Sequence, residues 1–405
     1  MINKKVILEL IKHKGYIIVA IFLFLSIGCQ APKSKVTTRE QMVSDSTLIQ
    51  IDVDPTGKDT YAFDSLIDDI SYIRLETNDS CLIGNIHQLL VTNEYIFVLD
   101  AFVTNAVYCF DKQGHFIRQI GVMGEGAGEY LRLCKIALTS DRKQIVLYDW
   151  NRLHYYDLKG NYIKDITPNI YANDIKLMND DLVVAFRDAG LGDDSQHRML
   201  AVYDKDFKLI YREFPTFYNE SFHLNNDVNP LRSFGNGVYL REPWTHSIYK
   251  IDKDRCREKY RININNGGYP ERLENMREDA YMRIVGTKIH MMDYILLKDY
   301  ALFYFTQNGL NWSPFVIYSH KTQRTYRCNG ISSNPLFFAH SPHNVSIACY
   351  DGESFLVPQP AIEVIRMKET VYNSPLINDS KLLKLYDGLT EDSNPVLFLL
   401  HIKSI

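Results

Sequence analysis

The chain of 405 residues is 46% hydrophobic and 23% charged, a composition that supports a packed core and excludes a disordered or collagen-like protein. A formal net charge of −4 gives no electrostatic support to non-specific nucleic-acid binding, and no nucleic-acid partner is expected. Twenty-seven tyrosines and 20 phenylalanines against 10 methionines lean toward strands, where flat side chains pack well on a pleated surface.

Four lysines, Lys4, Lys5, Lys12 and Lys14, precede an apolar run from Tyr16 to Ile27 that is too short for a membrane span and suits the core of an export signal. Ser26-Ile27-Gly28-Cys29 follows and resembles a bacterial lipobox, with Ser26 where the usual pattern has Leu. Residues 1–28 therefore read as a lipoprotein signal peptide and Cys29 as the lipidated residue that holds the protein to a membrane. Four lysines and one glutamate leave with the signal, which takes the net charge from −4 to −7. Residues 29–50, rich in Lys, Ser, Thr and Gln, read as a flexible tether, and residues 51–405 as one domain. Gln30-Ala-Pro-Lys-Ser-Lys lacks an acidic surface-export run, so the expected place is the cell envelope, on the periplasmic side, with the outer membrane ahead of the inner.

One strand-turn-strand unit recurs through the domain. Asp111-Lys-Gln-Gly114 sits between two strands, and Asp157-Leu-Lys-Gly160 repeats it 46 residues on. Asp204 and Asp252 continue the series at steps of 47 and 48, and Ser319 marks an eroded copy. In each D-x-x-G turn the Asp is expected to bond back to the turn amides, and Gly to take the positive φ that closes the hairpin. Apolar strands precede each hairpin, as in Tyr95–Asp100 and Gln144–Asp149, and weaker strands precede those, as in Ile86–Val91 and Asp174–Met178. Four strands per period of about 46 to 49 residues predict an all-β fold: a six-bladed β-propeller with four-stranded antiparallel blades. The 343 residues from Phe63 leave room for a short helical insertion after Gly267 and a short C-terminal helix at Ser380–Tyr386. Strands near Ser71–Leu75 and Asn394–Lys403 are expected to close the ring together.

Ile70-Ser-Tyr-Ile-Arg-Leu-Glu-Thr77, the glycine-rich run Ile120–Tyr130, Tyr239–Tyr249 and the terminal Asn394-Pro395-Val strand resemble the six-bladed β-propeller lipoproteins of Bacteroidota, which are NHL-like in architecture. The resemblance implies fold and location and brings no catalytic residues with it.

Cys81, Cys109, Cys134, Cys256, Cys328 and Cys349 are widely and irregularly spaced, without a C-x-x-C, and read as buried thiols in preference to a disulfide framework. Gly124-x-Gly126-x-Gly128 is not followed by a helix, so it reads as a crossover between blades and not as a phosphate loop. Neither His340-x-x-His343 nor Asp193-Asp194 has the spacing of a metal site, and no metal or cofactor is expected. Arg241-Glu-Pro-Trp244-Thr-His joins two expected strands, and Arg241, Trp244 and nearby Arg187 are the binding candidates at a propeller mouth. The expected function is a monomeric, non-catalytic binding or scaffold module for a peptide, glycan or protein. The alternative is a propeller lyase or lactonase with a metal held in the central channel by carboxylates and Asn.

Overall fold

The computed structural model of the chain describes residues 48–53, 61, 63–150, 152–168, 170, 172–178, 182–186, 198–215, 230–242, 246–264, 289–307, 315–328, 348–369 and 384–405. Strand β1 (Ile49–Val53) comes first, and the short helix α1 (Phe63–Leu66) leads into β2 (Ile67–Arg74). Next are β3 (Gln88–Val91), β4 (Tyr95–Asp100), β5 (Ala106–Asp111) and β6 (Phe116–Gln119). A parallel pair, β7 (Val122–Met123) and β8 (Glu129–Tyr130), crosses to β9 (Lys135–Leu138), β10 (Gln144–Tyr148), β11 (Leu153–Asp157) and β12 (Tyr162–Ile166). The series continues with β13 (Asp174–Met178), β14 (Leu182–Phe186), β15 (Arg198–Tyr203) and β16 (Leu209–Pro215). After these come β17 (Leu231–Phe234), β18 (Gly237–Arg241), β19 (Ser247–Ile251) and β20 (Cys256–Ile264), then β21 (Ile289–Leu296), β22 (Tyr300–Gln307), β23 (Phe315–Ser319) and β24 (Thr325–Cys328). The chain ends with β25 (Ala348–Cys349), β26 (Ser354–Gln359), helix α2 (Ala361–Arg366), a 3-10 turn at Lys384–Tyr386 and β27 (Val396–Ile402).

The fold is all-β and propeller-like, and it corrects the expectation of a six-bladed propeller with four-stranded antiparallel blades, because five such blades are present among the described residues. Five sheets have that form: β3–β6, β9–β12, β13–β16, β21–β24, and β25-β26-β27-β2. The sheet of β17–β20 is five-stranded and mixed, because β1 adds to its edge in parallel, with Ile49 opposite Tyr260 and Val53 opposite Ile264. β1 alternates, so Ile51 and Val53 pack into the core beside Met291 and Phe303 while Gln50 and Asp52 stay exposed. Counting hairpins does not see such a lone edge strand. The expected C-terminal helix is corrected too, since the described part of Ser380–Tyr386 is one 3-10 turn. The expected helical insertion, the signal segment and Cys29, His340, His343, Asp193 and Asp194 lie outside the described residues.

The turns form as their residues demand. Asp111 Oδ1 accepts from the amides of Gln113 and His115, both at 2.9 Å, and Gly114 has φ +92°. Asp157 Oδ1 accepts from Lys159 and Asn161 at 2.9 and 2.8 Å, with Gly160 at φ +82°. Asp204 makes the same two bonds to Asp206 and Lys208, and there Phe207 takes the left-handed position at φ +61°. Strand β2 pairs with β27 along Ile67–Arg74, so the two terminal segments close one sheet as expected.

The core lies between neighbouring sheets. β4 and β5 are almost wholly buried because each packs against a sheet on both faces. One apolar layer joins Phe97, Leu99 and Cys109 to Ile136, Ile145 and Tyr156 of the following sheet. Another joins Ile73 and Leu397 to Val98 and Phe110. Burying apolar area at about 25 cal/mol per Å² on both faces of every sheet stabilises the ring. The first strands β3, β9, β13, β17, β21 and β25 are left to line the axis, each neighbouring the next.

Candidate functional site

Three of these first strands, β3, β9 and β13, begin with the polar residues Gln88, Lys135 and Asp174, and with Arg232 of β17 and Asp293 of β21 they form a belt across the axis. Gln88 Nε2 donates to Ile136 O at 2.8 Å and its Oε1 accepts from Ile136 N at 3.0 Å, so one amide satisfies the edge of the next strand. Asp174 reaches onward in the same way, its Oδ2 accepting from Leu231 N at 3.2 Å. Arg232 grips Asp293, with Nη2 2.7 Å from both carboxylate oxygens and Nε 3.2 Å from Oδ1. A β-bulge puts Asp293 in reach. The register steps from Met291 opposite Phe305 to Asp293 opposite Tyr304, so Asp293 faces away from the side on which Met291 enters the core.

Two lysines lie in this belt. Lys176 Nζ donates to Asp174 Oδ1 at 2.9 Å and to Ile175 O at 3.2 Å. Lys135 Nζ lies 3.2 Å from His87 Nε2. Lys135 and Lys176 are 3% and 5% exposed and Asp174 is fully buried, so these charges act on one another with little screening from water. Burial, then the charges of Lys135 and Lys176, hold His87 down to about 3, so its ring is neutral and Nε2 accepts a hydrogen bond from Lys135 Nζ. Burial also pushes Lys135 down, and the Asp174 carboxylate partly offsets this.

Above the belt a cavity of about 480 Å³ opens on the axis, lined by the first strands and by the turns that follow β3, β9, β17, β21 and β25. Its charged lining is Arg142, Lys176, Arg232 and Lys298 against Asp351. Arg142, at φ +57°, donates from Nη2 to Val91 O at 2.6 Å, which bridges two sheets at the rim. Lys112 donates to Thr92 O at 3.0 Å with its ammonium 3.6 Å from the Tyr350 ring centre, and burial lowers it to about 8.

Of the sequence-derived candidates, Arg241 is 5% exposed and donates from Nη1 to Met291 O at 2.8 Å, which ties β18 to β21 away from the cavity lining. Arg187 and Trp244 lie outside the described residues. The sequence reading missed Lys135, Asp174, Lys176, Arg232 and Asp293. The available signal was a charged residue in the first, weakest strand of each repeat, where burial in the ring makes charge costly. Among the described residues no group of three His, Cys, Asp or Glu is placed to hold a metal, and the two axial carboxylates each sit against a cation.

A second buried cluster lies in the sheet of β9–β12. His154 is fully buried, its Nδ1 2.8 Å from Asp165 Oδ1 and its Nε2 3.0 Å from Asp149 Oδ2. Arg152 lies 3.9 Å from Asp165 and 4.0 Å from Asp149. The glycine-rich crossover is fastened here, as Gly128 N donates to Asp165 Oδ2 at 3.3 Å and Tyr156 Oη donates to Gly128 O. Gly126 N donates to Glu129 Oε2 at 2.8 Å, so this loop turns an amide to its own carboxylate. The six cysteines of the domain are free; Cys349 is half-buried and the rest are buried.

A family described as a domain of unknown function, DUF4934, matches residues 48–401. No curated protein matches the chain. Among solved structures, a Bacteroides fragilis protein described as exported is 19% identical, with a TM-score of 0.73 over 88% of this chain and 100% of its own. A protein of unknown function from Bacteroides caccae is 9% identical at a TM-score of 0.37, over 65% of this chain and 82% of its own. An oligogalacturonate lyase from Vibrio parahaemolyticus is 10% identical at 0.38, over 71% and 77%. The first shares the fold, and the other two overlap too loosely to carry anything more.

Proposed function

Since the chain belongs to the DUF4934 family and a cavity opens on its axis, we propose that it is an envelope lipoprotein whose propeller binds a partner at this mouth without chemistry upon it. The cavity carries the reading. It has the size of small-molecule sites in general, and its polar groups stand on first strands whose backbones are fixed by the sheets behind them. A short peptide or a glycan fits such a mouth, as does the tip of a protein loop. The apolar run before Cys29, with Gly28 ahead of the thiol, supports export and lipid anchoring.

Ser233 lies on the cavity wall, exposed, and Trp in its place would fill the mouth. On peptide and glycan arrays the full chain should retain a ligand that Ser233→Trp does not, with the same melting temperature and with the ligand recovered unaltered. Equal retention by Ser233→Trp would move the site away from the axis, and a converted ligand would replace the binding reading by catalysis. Cys29→Ala should move the protein from the membrane to the soluble fraction, and unchanged membrane association would count against lipidation.

A further inference from the structure

The two faces of the ring differ in what they show to water. The cavity opens among the turns that follow the first strands, so the turns that follow the second strands, and the crossovers from fourth to first strands, lie at the opposite ends of the blades. Large apolar side chains stand exposed on that opposite face. In the turn after β4, Phe102 and Val103 are each 66% exposed, and Met123 in the crossover after β6 is 69% exposed. Leu131, where that crossover ends, and Trp150, in the turn after β10, are exposed as well. They form one patch. Asn105, in the same turn as Phe102, donates from Nδ2 to Leu131 O at 3.0 Å and lies 3.6 Å from Met123 Sδ. Leu131 N in turn donates to Asp149 Oδ2 at 3.5 Å, beside Trp150.

The backbone beneath the patch is pinned, which holds these side chains outward. Buried Asp100 accepts from Gly84 N at 2.8 Å and from Val103 N at 3.0 Å, and the Val103 side chain lies over Gly84, where a β-carbon would meet its Cγ1 at 2.4 Å. The Phe102 ring stands edge-on against His87, with 4.7 Å between ring centres. Among the described residues of these loops Glu125 and Arg132 are the exposed charges, one of each sign, so the patch suits an apolar partner and not a charged one. A contiguous apolar surface of this kind is uncommon on a protein that meets only water.

We propose that this face docks on the bilayer that holds the lipid anchor, with Phe102, Val103, Met123, Leu131 and Trp150 entering the headgroup layer and the cavity mouth opening away from the membrane. The proposal rests on the lipid-anchor reading above and adds an orientation to it. The length of chain ahead of β1 favours a bilayer as the occupant. Gln30–Thr47 is 18 residues, and a flexible chain of that length spans about 24 Å, or about 60 Å at full stretch. β1 takes up the chain at the outer edge of a sheet, so either face is within reach, and the apolar side chains decide which one turns to the lipid. Such a tether keeps the bilayer at an effective concentration of about a millimolar, so shallow insertion is enough to hold the face down. Tryptophan and phenylalanine suit this depth, where an apolar body meets a wet boundary.

Fluorescence of the lipidated full chain on vesicles tests it. A solvatochromic dye is attached at Met123→Cys or, on the cavity face, at Ser140→Cys, both exposed positions, in a Cys349→Ser background. On vesicles of phosphatidylethanolamine and phosphatidylglycerol the Met123→Cys label should shift to the blue and be quenched about twofold or more by nitroxide-labelled lipid, while the Ser140→Cys label reads as it does in buffer. Adding Phe102→Asp and Leu131→Asp should reverse the signal of the Met123→Cys label, with the chain still on the vesicles and its melting temperature kept. Equal readings from the two labels overturn the proposal. So does a Met123→Cys label that shifts only when envelope extract is added, which would give the patch to a protein partner. The same readings on a Cys29→Ala chain, held to nickel-chelating lipid by an N-terminal histidine tag, separate docking from lipidation: a blue shift there supports the docking face even if the native chain carries no lipid.

Discussion

Two histidines of this domain, His154 buried and His87 half-buried, sit in different electrostatic surroundings. His154 lies between the carboxylates of Asp149 and Asp165 with Arg152 beside them, so its hydrogen bonds stay within one sheet. His87 lies against Lys135, with Lys176 near and Asp174 as the carboxylate between the lysines. The first cluster spans three strands of a single sheet and fastens the crossover at Gly128, the work of a structural clamp. The second spans several sheets and ends at a cavity, so its polar groups hold neighbouring sheets in place around the opening.

Substitutions should separate the two clusters by the size and sign of their effects. His154→Ala leaves two carboxylates facing each other across a void and should cost about 3–5 kcal/mol in urea unfolding. A loss below about 1 kcal/mol would mean that the cluster is not a clamp. On the axis the two signs of charge should behave differently. Asp174→Ala strips both lysines of their shared carboxylate and Leu231 N of its acceptor, and should cost about 3 kcal/mol. Lys135→Met removes an ammonium that burial already disfavours and should cost less than Asp174→Ala, about 1 kcal/mol or less. Equal losses would mean that Lys135 contributes as much to the belt as Asp174 does.

The pH dependence sharpens the same contrast. His87 is held near 3 in the folded protein against 6.5 ordinarily, so the unfolded chain takes up a proton below about 6.5 that the folded chain refuses. Its contribution is thus to lower stability as pH falls from about 6.5 toward about 3. His87→Gln should flatten that part of the curve relative to wild type, and curves that stay parallel would place His87 in a less positive setting. The smallest effect is expected at the rim, where Arg142→Gln removes the bond to Val91 O and should cost about 0.5 kcal/mol of stability.

Much of the framework was legible in the sequence because it is written in local chemistry. An Asp three residues before a Gly makes the same turn wherever it occurs, and the copies at Asp111 and Asp157 form with matching bonds. Closure by Ile67–Arg74 and Val396–Ile402 followed from apolar strands left over at both ends of the repeat series. The count of six four-stranded antiparallel blades failed, giving five, because Ile49–Val53 chooses its edge by tertiary fit to β20 and makes that sheet mixed, and no local pattern names that partner. The binding candidates were drawn from a polar loop near Arg241, yet Arg241 is a strut to Met291. The polar axis escaped notice because its residues come one or two per repeat, at uneven spacing, and become a cluster only when the ring brings the first strands together. Asp293 was hidden further, since the bulge before it reverses the face that simple alternation assigns.

The His87 ring reports most directly on whether its surroundings on the axis are apolar and positive. Nuclear magnetic resonance titration in the full chain should show it neutral down to about pH 3, and Lys176→Met should raise its midpoint. A His87 that titrates near 6.5 and ignores Lys176→Met would contradict the account.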